Sequence, residues 1–180
     1  SLADLVARQW GPLAETLRAL QAAGLNAIAE APVDLVSPDE VAAVHSAGLG
    51  LGTLSVQRLP DAGRVAILER ARACLEANPH VTCFSPLARE QSLATPTTGY
   101  SDVRLVALAR LGLPGARTIS IDWQQYGPKL AQVALTFGAN HLDRVAPVDD
   151  PALGWRRASV EAVRRNIEAA GFTPVEQGPA

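Results

Sequence analysis

The feature that most constrains this chain is a recurring alternation. Short β-branched or apolar runs give way to longer stretches with apolar residues at helical spacing, joined by short connections. From Leu2 to Leu20, the residues Leu5, Val6, Leu13, Leu17 and Leu20 predict one helix, with Gly24 as its C-terminal stop. An apolar run follows over Asn26–Ala31. Ser37-Pro38-Asp39-Glu40 reads as a capping box with proline at the first helical position, opening a helix that stops near Gly48. The pattern then repeats: a strand over Leu51–Gln57, a helix over Arg64–Ala77 and a strand over Val81–Pro86. A polar loop runs over Leu87–Tyr100, and a helix capped by Ser101 follows it. Next come a strong strand over Thr118–Trp123, a helix opened by Gly127-Pro128 and a short strand over Leu142–Val145. A last helix is capped by Ser159, and Phe172–Glu176 is a final strand or a tail.

Alternation with short connections predicts an α/β fold: repeated strand–helix units on a parallel sheet with right-handed crossovers. It fits part of a (β/α) barrel or a doubly wound sheet. About five or six units are visible, whereas a complete barrel needs eight and typically about 250 residues. The expectation is a single partial TIM-type barrel domain over residues 1–180.

Composition narrows the function classes. The formal net charge is −2, so nothing draws in nucleic acid or an anionic membrane. No run approaches the roughly eighteen apolar residues that span a bilayer, and the first ten residues do not resemble a secretory signal. Cys74 and Cys83 are the two cysteines, too few for a disulfide scaffold, and are read as small buried hydrophobes in a cytoplasmic protein. His45, His80 and His141 lack metal-ligand spacing. No P-loop, dinucleotide fingerprint or Ser-His-Asp ordering is present.

In parallel sheets ligands sit at the carboxyl ends of the strands. Those ends carry Glu30, then Gln57 and Arg58, then Ser85 and Arg89, then Asp122–Tyr126, then Arg144. Glu30 reads as a capped or solvated loop carboxylate sooner than as a ligand contact, and Gln57-Arg58 either grips a carboxylate or phosphate through the arginine fork or, more often for such an arginine, pairs with a neighbouring strand-end acid. The densest constellation is Asp122-Trp123-Gln124-Gln125-Tyr126-Gly127-Pro128-Lys129, leading into a helix N-terminus. Lys129 is the only lysine in the chain. A cation in a first helical turn is disfavoured by about 0.3–1 kcal/mol, which marks it as a candidate ligand contact. A Schiff-base role for Lys129 is a distant alternative.

The strings Thr97-Thr98-Gly99-Tyr100-Ser101-Asp102-Val103-Arg104, Asp122-Trp123 and Gly127-Pro128-Lys129-Leu130-Ala131-Gln132-Val133-Ala134-Leu135-Thr136-Phe137-Gly138-Ala139, with the tail Gly154–Phe172, carry a family resemblance. Together they resemble the C-terminal portion of radical-SAM enzymes of the futalosine route to menaquinone, aminofutalosine synthase and dehypoxanthine-futalosine cyclase. The related deazaflavin-cofactor synthase is similar. The resemblance implies S-adenosylmethionine and a [4Fe–4S] cluster in the family, the cluster held by a CxxxCxxC triad that these residues lack. No cofactor is therefore expected on this chain. The resemblance also implies a small nucleoside-type substrate lined by Thr98, Asp102, Asp122, Trp123, Gln124, Tyr126, Lys129 and Gln132. An N-terminal half-barrel partner, or a homodimer, would complete the barrel. The alternative is a diverged, non-catalytic half-barrel that binds a small ligand or a protein partner.

Overall fold

A computed structural model describes residues 1–59, 63–90, 98–145 and 160–177. The stretch expected to form one helix breaks into α1 (Leu2–Arg8) and α2 (Leu13–Ala22). Gln9 takes a left-handed φ of 49° and Gly11 a φ of 137°, and Pro12 has no N–H to continue the ladder. The stop at Gly24 forms as expected, with φ 102° and the Leu25 N–H donating back to Leu20 O at 3.0 Å. Strand β1 (Ala27–Pro32) follows. Helix α3 (Pro38–Ser46) opens on the expected capping box: Ser37 N donates to Glu40 Oε2 at 2.7 Å and Glu40 N donates to Ser37 Oγ at 3.2 Å. Next come β2 (Gly50–Val56) and α4 (Gly63–Ala77).

Strand β3 (Cys83–Ala88) runs two residues beyond the expected end at Pro86. Proline cannot donate to the ladder, and the β2–β3 register slips there, from Leu54↔Phe84 to Val56↔Ala88. Pairing then resumes, with Arg89 N and Glu90 N donating to Val56 O and Gln57 O. Helix α5 (Gly99–Gly112) is capped by Thr98, whose Oγ1 accepts from Ser101 N at 3.2 Å. Ser101, expected as the cap, lies inside the first turn. After β4 (Thr118–Asp122) comes α6 (Trp123–Thr136), so Trp123 opens a helix and does not close the strand. Gly127, at φ 72° and ψ 174°, kinks α6 after one turn, and Pro128 restarts it. The chain continues through β5 (His141–Asp143) and α7 (Val160–Ala169). Ser159 lies outside the described residues. Phe172–Glu176 forms no strand; Glu176 pairs with Arg164 at 3.0 Å.

The five strands are all parallel and ordered β1-β2-β3-β4-β5. Sequence neighbours among α2 to α7 also pack against one another in order. A doubly wound sheet requires a point where the strand order reverses. This sheet has none, so the fold is a partial (β/α) barrel.

Register and alternation sort the strand residues onto two faces. Paired positions Leu54, Phe84 and Ile119 share one face with Ile121, and all four lie in the same buried core as Ile67, Leu105 and Val106 of the helices. The other face carries Glu30 beside Thr53, Cys83 beside Thr118, Ser120 beside His141, and Asp122 beside Asp143. This second face is the concave one. On a flat sheet, side chains of β1 and β5 stand ~19 Å apart, four strand spacings. Yet Glu30 of β1 and Asp143 of β5 both reach the guanidinium of Arg89, at 3.6 and 3.2 Å. Only a sheet curled around that face brings them together.

Candidate functional site

The site is a charged ring at the carboxyl ends of the strands. Arg89, directly after β3, is its centre, with a side chain only 10% exposed. Nη1 donates to Asp122 Oδ2 at 3.0 Å and Nη2 to Asp143 Oδ2 at 3.2 Å. Glu30 Oε2 stands 3.6 Å from Nε, beyond hydrogen-bond range. Burial works against the guanidinium charge. Asp143, Glu30 and Asp122 outweigh it and hold the Arg89 pKa above the ordinary arginine value.

Asp122 does two jobs at the end of β4. Its Oδ1 caps α6 by accepting from Gln125 N at 2.9 Å, and its Oδ2 faces both Arg89 and Arg144, the latter at 3.4 Å. Arg144 follows β5 with a φ of 52°, a left-handed conformation that a non-glycine residue seldom adopts. The first turn of α6 is tied to the rim as well: Gln125 Nε2 and Tyr126 Oη both donate to Ala88 O, at 2.8 and 2.7 Å. Gln57 and Arg58 each bond the Glu90 carboxylate, which their hydrogen bonds hold below its ordinary pKa. A cavity of about 570 Å³ opens over this rim, lined in part by Glu30, Gln57, Arg58, Arg89 and Arg144.

The expected site residues separate in space. Asp122 and Tyr126 sit on the rim. Trp123 is fully buried and packs with Ala131 and Val163, joining α6 to α7. Gln124 and Gln132 are half-buried on α6. Lys129 is exposed on a face of α6 that also exposes Val133 and Thr136, while Trp123, Gly127, Ala131, Ala134 and Leu135 form the buried stripe. Thr98 is an exposed cap and Asp102 a buried residue in the first turn of α5. That turn approaches α6, since a side chain on Gly99 would meet Leu130 at 3.8 Å. Thr97 lies outside the described residues.

Glu30 is not the solvated loop carboxylate expected from sequence. It belongs to β1 and faces Arg89. Arg58 does pair with a strand-end acid, Glu90. Sequence reasoning placed Arg89 at a strand end without giving it a role, and passed over Asp143. The available signal was a charged residue closing each successive apolar strand.

Residues 82–178, more than half of the chain, match the family described as the CofH/MqnC C-terminal region. The chain belongs to this family. Over 91 residues it is 35% identical to 5-amino-6-(D-ribitylamino)uracil--L-tyrosine 4-hydroxyphenyl transferase of Methanosphaerula palustris. That stretch is 46% of this chain and 25% of the relative, so the chain spans about a quarter of the curated protein it matches. Relatives in this radical-SAM family use S-adenosylmethionine and a [4Fe–4S] cluster. The residues here do not fit the cluster. Cys74 is fully buried on α4, and Cys83 begins β3, at the end opposite the rim. Burial pushes the Cys74 thiol up to about 11 and the Cys83 thiol above its ordinary value. Among the described residues no group of three His, Cys, Asp or Glu side chains is placed to hold a metal ion.

Proposed function

We propose that this chain is the substrate-binding C-terminal portion of a radical-SAM enzyme. It would act on a small nucleoside-type molecule held over the Glu30–Arg89–Asp122–Asp143 rim, as in the futalosine route to menaquinone or the reaction named for the Methanosphaerula palustris relative. The carrying observation is the position of the charged ring, at the carboxyl end of a curled parallel sheet and beneath a cavity of ligand size. Family membership agrees with it. Radical chemistry would come from a cluster-bearing N-terminal half-barrel, as a cytoplasmic partner or as upstream sequence. This chain would supply binding, orientation and electrostatics. Asp122 and Tyr126 fix the first turn of α6 against β3, and Arg89 fixes the carboxylates of β1, β4 and β5 relative to one another.

Calorimetric titration of the full chain with aminofutalosine and with 5-amino-6-(D-ribitylamino)uracil tests this reading. Saturable binding of either compound, lost in Arg89→Met, supports it. Binding of neither overturns it and favours the non-catalytic half-barrel.

A further inference from the structure

We propose that His45 and His80 form a two-imidazole binding site for a divalent transition-metal ion of the nickel or copper type. The site lies at the amino end of the sheet, opposite the charged rim, and is independent of the substrate-binding reading above. Three observations carry it.

The first is proximity across separate elements. His45 stands on the last turn of α3 and His80 in the turn between α4 and β3, yet their ring centroids are 4.6 Å apart, with the planes tilted by 32°. Both residues are exposed, so an ion reaches them from solvent. The second is the match to coordination geometry. A metal–nitrogen bond of about 2.0–2.1 Å puts an imidazole centroid about 3.2 Å from the ion. Two imidazoles on one ion then have centroids about 4.5 Å apart at a right angle and about 5.2 Å apart at the tetrahedral angle. The observed separation fits neighbouring positions on a square-planar or tetragonal ion, the geometry of copper and nickel, better than a tetrahedral zinc site. Ring stacking alone also allows this separation, and titration with metal tells the two apart. The third is preorganisation. The His45 carbonyl accepts from Gly48 N at 2.9 Å at the end of α3. His80 N donates to Oδ1 of the buried Asn78 at 3.2 Å, and Val81 N donates to Asn78 O at 3.2 Å. Both backbones are pinned before any ion arrives, so little freedom is lost on binding. Among the described residues no third His, Cys, Asp or Glu is placed to join the pair, so water fills the other positions and the affinity is micromolar, not nanomolar. A bound ion ties α3 to the entry of β3, the strand that leads to Arg89.

Calorimetric titration of the full chain with nickel chloride and with copper chloride, and thermal melts with each salt, test the site. The expected result is one ion per chain and a rise in Tm of several degrees at saturation, because the ion binds only the folded arrangement. His45→Gln and His80→Gln should each weaken binding at least about tenfold and abolish the Tm rise, with unchanged far-ultraviolet spectra, since both side chains are exposed. His141→Gln should bind as the wild type does. Copper at the site should show electron-paramagnetic coupling to two nitrogens. No binding below millimolar metal, affinity kept within about threefold by either variant, or coupling to a single nitrogen overturns the proposal and leaves an ordinary stacked pair.

Discussion

Replacing Arg89 with methionine removes the one cation that the β1, β4 and β5 carboxylates share. Methionine keeps most of the side-chain volume, so the effect is electrostatic. Breaking a buried ion pair by deleting one partner costs about 3–5 kcal/mol, because the other charge is left desolvated. Asp122 is 2% exposed but keeps Arg144 at 3.4 Å, so it bears only part of that cost. Asp143 and Glu30, at 23% and 26%, are partly relieved by water, which favours the lower end, ~3–4 kcal/mol. A domain of this size has an unfolding entropy of roughly 0.4 kcal/mol per degree, so Tm should fall by about 8–10 °C. Thermal melts followed by circular dichroism provide the measurement. A fall in Tm under about 3 °C would refute the argument that Arg89 ties the curled sheet together.

Three further outcomes follow from local geometry. Thr98→Ala removes the α5 cap bond to Ser101 N and should cost about 1 kcal/mol in denaturant unfolding. Cys74 holds its proton to about pH 11 when folded but releases it near its ordinary value when unfolded, so stability is intact below that ordinary value. It should fall by about 3 kcal/mol as pH rises through the folded value, and Cys74→Ser should not show that fall in alkaline denaturation series. Gly127→Ala forces a side chain into a backbone conformation open essentially to glycine and should cost about 1–3 kcal/mol, read as a lowered denaturation midpoint.

The sheet was legible because each strand is a compact apolar run bounded by helical periodicity, and the capping box at Ser37 announces α3. Legibility failed where one local rule overrode the pattern. The apolar spacing of Leu2–Leu20 is continuous on paper, but Gly11-Pro12 breaks the backbone beneath it. Pro86 looked like a strand end, yet β3 absorbs it through a register slip. The α6 segment does begin at the rim, but a helix turns about 100° per residue, so its neighbours cannot all face one ligand. Trp123 enters the core and Lys129 the surface. Lys129 stood out through composition, which carries no direction in space. The Arg89 ring joins residues 30, 89, 122 and 143, a set fixed by strand order and curl, and no sequence spacing encodes it.

Holding the sheet and holding a ligand can be separated within this ring, because burial grades across it. Asp122 is almost wholly covered, caps α6 and receives both arginines, so its carboxylate is committed to structure. Glu30 is a quarter exposed, lines the cavity and stops short of a hydrogen bond with Arg89, so its carboxylate is free to accept from a ligand. Asp122→Asn should therefore lower Tm by several degrees, since a neutral amide keeps the cap bond but no longer offsets the two cations beside it. Glu30→Gln should shift stability by less than about 1 kcal/mol, as expected for a partly exposed, loosely made pair, while weakening ligand binding over the rim. If Glu30→Gln destabilises as much as Asp122→Asn, the carboxylate of β1 belongs to the same structural tie as that of β4. The ring would then have no face left for a ligand.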